Sequence, residues 1–355
     1  MNSFNRGEWS EFYGLLYLLA NPELRLVDSD LNDLNKSIFI IKTIILDSKL
    51  KLEYLINDDG NILIYADKEY IQSFTRDEIN KELSKLLNAI LEHNERLGAF
   101  TILTSEEFVN SFTNNCSFKS KSRNKYDIST LCFDNIKQED VLLKYSVKSS
   151  LGSPATILNS SSNTNFKFKI KNFPLDKIND VNSIETRTKL LDRINKIKSY
   201  ENTEIVFDSV LSEAFEFNLK MVDSLMPQYL ANTLLYSYEH DNKNLNEIFM
   251  LANSQLDADI AKKKLGDFLN GISFGFIPGD KWNGYNEVNG GLIIIKNNGE
   301  VVVLDLLYYP NEVSKYLIKQ SKLDSPSTHR YHMLELFEEN GECYFTLNLQ
   351  VRYKR

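Results

Sequence analysis

The sequence predicts an α/β protein built on a mixed sheet, with an accessory N-terminal α+β region and a helical insertion. Three observations predict it. Leu143, Tyr145 and Val147 alternate with Lys144, Ser146 and Lys148, as a half-buried strand requires. The run 125–133 reads as an antiparallel partner joined to it through the polar turn 134–140. Helical spacing of apolar residues recurs in 5–20, 76–97 and 210–275.

In chain order, 1–25 is expected to be a helix packed on the core, with Gly7 and Gly14 allowing close approach. Glu8 and Glu11 on that helix suit either its dipole or an extra metal ligand. Segment 26–115 is expected to be an accessory α+β region: β-branched runs at 37–46, 50–56 and 62–65 with a turn at 58–61, then helices at 76–97 and 105–112. The basic core follows at 116–200, ending in a helix over 179–198. Segment 201–275 opens on a strand at 204–207 and is otherwise helical, with Pro227 as a breaker and Leu225, Leu230, Leu234 and Leu235 as core. The last segment, 276–355, is β-rich, with one hairpin closed by Asn297-Asn298-Gly299 and another turning at Asn340-Gly341.

Composition narrows the function. No run of about 18 apolar residues is present, which argues against a spanning helix, and the first residues lack a signal peptide's apolar stretch, so a cytoplasmic protein without a membrane partner is expected. Cys116, Cys132 and Cys343 are too few and too scattered for a disulfide framework or a zinc site. His93, His240, His329 and His332 do not make a histidine metal centre. A carboxylate-bound magnesium ion remains open. The net charge of -8 hides an uneven distribution: residues 1–115 sum to -8, 116–200 to +8 and 201–355 to -8. Two basic runs lie in the middle segment, Lys119, Lys121, Arg123 and Lys125, then Lys167, Lys169 and Lys171. Such stripes suit a phosphate backbone, and would equally suit a solvated face.

If 125–133 and 143–148 pair as a hairpin, Asp127 lands beside Ser146 and Lys148. A carboxylate for a hard cation and a lysine for developing phosphorane charge then share one sheet edge, as a magnesium-dependent phosphodiester hydrolase needs. An ordinary charged surface hairpin has the same residues. Ser325, Ser327, Thr328, His329 and Arg330 in one loop are good donors to phosphates and base edges. A polar connecting loop would look alike.

Several stretches together resemble the HpaII-type restriction endonuclease family, within the PD-(D/E)xK nuclease class. They are Asn5-Arg6-Gly7-Glu8-Trp9-Ser10-Glu11, Tyr145-Ser146-Val147-Lys148-Ser149, Leu151-Gly152-Ser153-Pro154-Ala155-Thr156, Asn163-Thr164-Asn165-Phe166 and Val222-Asp223-Ser224-Leu225-Met226-Pro227. Phe276-Ile277-Pro278-Gly279-Asp280-Lys281-Trp282-Asn283-Gly284, Ser325-Pro326-Ser327-Thr328-His329-Arg330 and the closing Leu347–Arg352 stretch continue the likeness. The weakest part is 30–115.

The resemblance implies a PD-(D/E)xK core and a type II restriction endonuclease. Such an enzyme cuts both strands of a short palindrome, CCGG in relatives of the prototype, by in-line attack of a magnesium-held water. It further implies a homodimer on double-stranded DNA and a cognate DNA methyltransferase. Asp127 and Lys148 fit the class pattern, whereas Ser146 stands where the class has an acid. Glu11 is the candidate replacement ligand beside Asp127, with Glu8 second. Specificity is expected from three loops, through Ser153, Asn159, Ser160, Asn163 and Asn165 with Lys167 adjoining, then Lys281, Trp282 and Asn283, then 325–330. Alternatives of the same resemblance are a repair or mobile-element nuclease and, given Ser146, a catalytically silent DNA-binding protein.

Overall fold

The structure is a computed structural model, and it describes residues 3–47, 51–93, 98–115 and 124–354. The chain forms two compact units. One comprises residues up to Ala155 together with Asn286–Tyr316, the other Thr156–Tyr285 together with Leu317–Lys354.

The first unit is organised by an eight-stranded mixed sheet. Its strands lie in the order Val301–Asp305, Gly291–Ile295, Glu139–Ser149, Ile128–Asp134, Phe39–Asp47, Lys51–Ile56, Ile62–Ala66 and Glu69–Phe74. Every neighbouring pair is antiparallel except Gly291–Ile295 against Glu139–Ser149, which is parallel. Segment 26–115 therefore contributes four strands to the sheet that carries the 128–149 hairpin. The alternation of that hairpin is the cause of its pairing: Leu143, Tyr145 and Val147 are buried in the core, and the opposite face stays more polar.

The helix Arg6–Ala20 begins with a capping box, in which Glu8 N donates to Asn5 Oδ1 at 3.0 Å and Asn5 N donates to Glu8 Oε2 at 2.8 Å. Trp9, Phe12, Leu16 and Leu19 are fully buried along it. Gly14 is needed for its close approach to the sheet. A Cβ there would stand 2.9 Å from Ile295 Cδ1 and 3.9 Å from Val147 Cγ1. A Cβ on Gly152, just past the central strand, would stand 3.1 Å from Arg6 Cδ. The helix thus runs antiparallel to Glu139–Ser149, with its first turn at that strand's C-terminal end.

The second unit holds a four-stranded antiparallel sheet in the order Glu204–Val210, Asn165–Lys171, Glu342–Asn348 and Phe337–Glu339, and a three-stranded one in the order Ser321–Leu323, Val351–Tyr353 and Thr156–Leu158. Phe166, Phe168 and Phe345 are buried between the larger sheet and its helices, Phe168 stacking on Phe345 at 5.2 Å. Three sequence expectations change here. The helix foreseen over 179–198 is two, Ile178–Asn182 and Lys189–Lys198. The buried Arg193 guanidinium occupies the break, donating to the carbonyls of Ile184, Asn182 and Leu334. Pro227 does not break a helix but opens one, Met226–His240, where its missing N–H costs nothing. Leu230 and Leu234 are buried as expected, whereas Leu225 precedes the helix and is 54% exposed. Among the described residues, no helix is long and apolar enough to cross a membrane.

Candidate active site

Antiparallel pairing sets Ile128 opposite Tyr145, and Asp127 N donates to Tyr145 O at 2.8 Å, so the Asp127 side chain falls at the level of Ser146. Its Oδ2 accepts from Val147 N at 2.7 Å and from Ser146 Oγ at 3.1 Å. Lys148 Nζ donates to Ser146 Oγ at 2.8 Å. The structure thus brings Asp127, Ser146 and Lys148 together as the register predicts. Ser146 is buried and works as a relay: its hydroxyl accepts from the ammonium and donates to the carboxylate.

Two partners beside this chain were not foreseen. Lys125, half-buried, is pushed down to about 8, first by burial and then by the Lys148 charge, against the attraction of Glu287. Glu287 Oε2 also accepts from Lys125 N at 2.9 Å. Glu287 arrives on the segment preceding Gly291–Ile295, where Asn289 joins it to the central strand through Lys144 N and Leu142 O. No local sequence signal announces a pairing across that separation.

Glu11 is half-buried on the helix Arg6–Ala20. It stands one turn before Gly14 on the helix, whereas Glu8 is engaged in the capping box. Among the described residues, no group of three or more His, Cys, Asp or Glu side chains is preassembled to hold a metal. Ser153 is exposed just beyond the strand's end. Lys119, Lys121, Arg123 and Cys116 lie outside the described residues.

The second unit brings the three expected recognition loops together. Tyr331 Oη donates to Ser160 O at 3.1 Å, tying 325–332 to 159–161. Asn163 Nδ2 lies where a Cβ on Gly279 would be 3.1 Å away, so 277–285 abuts the turn at 162–164. Asn218, fully buried, holds that loop by accepting from Trp282 N at 2.7 Å and donating to Ile277 O and Asp280 O. Asn159, Lys281, Asn283, Ser325, Ser327, His329 and Arg330 are exposed, and Thr328 is half-buried.

Two other candidates each have one polar atom engaged internally. Trp282 Nε1 donates to Tyr285 O at 2.8 Å, and Asn165 Oδ1 accepts from Asn348 Nδ2 at 2.7 Å. The stripe on Asn165–Lys171 is neutralised by neighbouring strands: Lys167 pairs with Glu339, Lys169 with Glu342 at 2.9 Å and Lys171 with Glu204 at 2.9 Å. As an electrostatic footprint for phosphates it is therefore weaker than its sequence indicates.

The profile of the HpaII restriction endonuclease family matches residues 5–353. The type II restriction enzyme HpaII of Haemophilus parainfluenzae is 30% identical over 366 aligned residues, spanning 99% of this chain and 98% of that protein. No solved structure matches. With nearly its whole length matched, the chain belongs to the HpaII restriction endonuclease family, as a type II site-specific deoxyribonuclease.

Proposed function

We propose that the chain cleaves both strands of a short palindromic DNA site in a magnesium-dependent reaction on a PD-(D/E)xK core, with CCGG as the site to test first. The hydrogen-bonded chain from Lys148 through Ser146 to Asp127 carries this reading. It sets an ammonium and a carboxylate at the end of the central strands, and Glu11 on the first helix is the further acid proposed.

The donors suit magnesium. Restriction endonucleases generally use divalent ions, and magnesium binds through one or two carboxylates plus substrate phosphate oxygens rather than a full protein cage. Asp127 is held through Oδ2 alone in its two hydrogen bonds, and Glu11, not Glu8, is the second carboxylate of this reading. When bound, the ion supplies Lewis-acid polarisation of the phosphate and a lowered pKa for water. The Val147 N–H fixes the Asp127 carboxylate. The Lys148 ammonium, steadied by Ser146, orients the attacking water and offsets charge building on the phosphate. The exposed polar groups of the three loops contact the DNA, two copies act on the two strands of the palindrome, and a DNA methyltransferase protects the host's sites.

Digestion of a linear duplex with magnesium or chelator tests this. Discrete fragments are expected with magnesium only, and their ends give the site. Asp127→Asn and Lys148→Ala should each lose at least about 100-fold in single-turnover rate. Ser146→Ala should lose roughly three- to tenfold, because Val147 N still holds Asp127. Wild-type protein that binds the duplex without cutting, or a Lys148→Ala variant at full rate, would sink the mechanism.

A further inference from the structure

The turn at Ser162–Thr164 is held by a residue that is remote in sequence. Asn348 ends the strand Glu342–Asn348, stands opposite Asn165 across the sheet and is fully buried. Its Nδ2 donates to Ser161 O at 2.7 Å and to Asn165 Oδ1 at 2.7 Å, and its Oδ1 accepts from Thr164 Oγ1 at 3.2 Å. The neighbouring Leu349 N adds a bond to Thr164 O at 2.9 Å. This environment permits one orientation of the Asn348 amide. Turned over, its oxygen would face two acceptors, Ser161 O and Asn165 Oδ1.

The orientation propagates. With its Oδ1 turned to the fully buried Asn348, the half-buried Asn165 side chain keeps its NH2 at the other end of the amide, and that nitrogen makes no hydrogen bond among the described residues. An amide free at both ends reads adenine, whose N7 accepts while its N6 donates. One that presents its donor end fits an edge of acceptors alone, which in the major groove is the N7 and O6 of guanine.

We infer that Asn348 is a positioning residue that holds Asn165 donor-outward, and that Asn165 thereby selects guanine over adenine at one position of the recognition site. The inference rests on the loops' contact with DNA proposed above. Adenine is rejected because its N6 amino group would meet the Asn165 amino group with no acceptor between them. A phosphate oxygen would accept the same donor, but would carry no base preference.

The test measures binding in chelator, by fluorescence anisotropy, on the duplex whose site the digestion defines. Each guanine is replaced in turn by 7-deazaguanine, which removes the N7 acceptor, and separately by adenine with its complement. Wild-type affinity is expected to fall about tenfold for 7-deazaguanine at one guanine per half-site. Asn165→Ala should bind the parent duplex correspondingly more weakly and be indifferent to that replacement. Asn348→Asp, which turns the two donor contacts into repulsions, should lose discrimination between guanine and adenine there while keeping its affinity for unrelated duplex.

Two results would overturn the inference: an Asn165→Ala variant still sensitive to every 7-deazaguanine replacement, or one weakened equally on all sequences, as a phosphate contact would be. Should Asn348→Asp not fold, the Asn165→Ala and 7-deazaguanine cycle decides alone. Wild-type protein with no sequence preference would instead refute the DNA-reading proposal itself.

Discussion

At the residue scale, an antiparallel hairpin keeps its register local. Once 125–133 and 143–148 are paired, Asp127 must stand by Ser146, and the structure connects them directly. Lys125 and Glu287 were not legible as partners, because a run of lysines gives no sign of which acid will fold against it. Their contact has a consequence for stability. Lys125 is held at about 8, below its ordinary 10.5, chiefly by burial. Below pH 8 the folded and unfolded chains both carry its proton, and the folded state bears the cost of the half-buried charge. Between about 8 and 10.5 the folded protein has released a proton that the unfolded chain still holds, so stability rises with pH through that window. Lys125→Met removes the charge and should be about 1–3 kcal/mol more stable than wild type at pH 7. That advantage should shrink steadily from pH 8 to 10, as followed by denaturant unfolding in chelator. A difference constant across this range would show that Lys125 does not titrate there.

At the scale of elements, periodicity found the first helix and the hairpins, because each is decided by its own residues and caps, whereas the lysines of the strand Asn165–Lys171 meet partners from elsewhere. It overstated the basic stripe on that strand, because Glu339, Glu342 and Glu204 come from three other strands. The gap at Arg193 was hidden for a similar reason: one of its acceptors, Leu334 O, lies 141 residues away. The first helix offers a sharper test, since its distance from the sheet rests on Gly14. Gly14→Leu would drive a side chain into Ile295 and Val147 and lift the helix, costing roughly 1–3 kcal/mol of stability. If Glu11 holds the ion from that helix, the magnesium concentration for half-maximal cleavage should rise about tenfold or more, as when support for a metal ligand is lost. A lowered melting temperature with an unchanged magnesium requirement would separate the helix from the ion.

At the scale of the whole molecule, the sequence does not reveal which strand lies beside Glu139–Ser149. Its parallel neighbour Gly291–Ile295 comes after the whole of 156–285, and no local pattern specifies a pairing over such a distance. The proposed mechanism supplies one catalytic group per copy, Asp127, Ser146 and Lys148. A palindrome offers two scissile phosphates, one on each strand, so the proposed reaction needs either two copies acting together or one copy acting twice. Mixing distinguishes these. Wild-type chain is co-refolded with an excess of Lys148→Ala chain and given a supercoiled plasmid bearing one recognition site. If two copies act together, most wild-type chains sit in mixed assemblies with one competent and one incompetent site, and each mixed assembly should cut one strand. Nicked circles should then accumulate in proportion to mixed assemblies, while linear DNA falls with the square of the wild-type fraction. If one copy cuts both strands in turn, the variant acts only as a competitor for the site, and linear product should fall in direct proportion to the wild-type fraction with no lasting nicked population. The exponent relating linear product to wild-type fraction therefore counts the catalytic chains needed for a double-strand break, and a value of one would exclude the dimer.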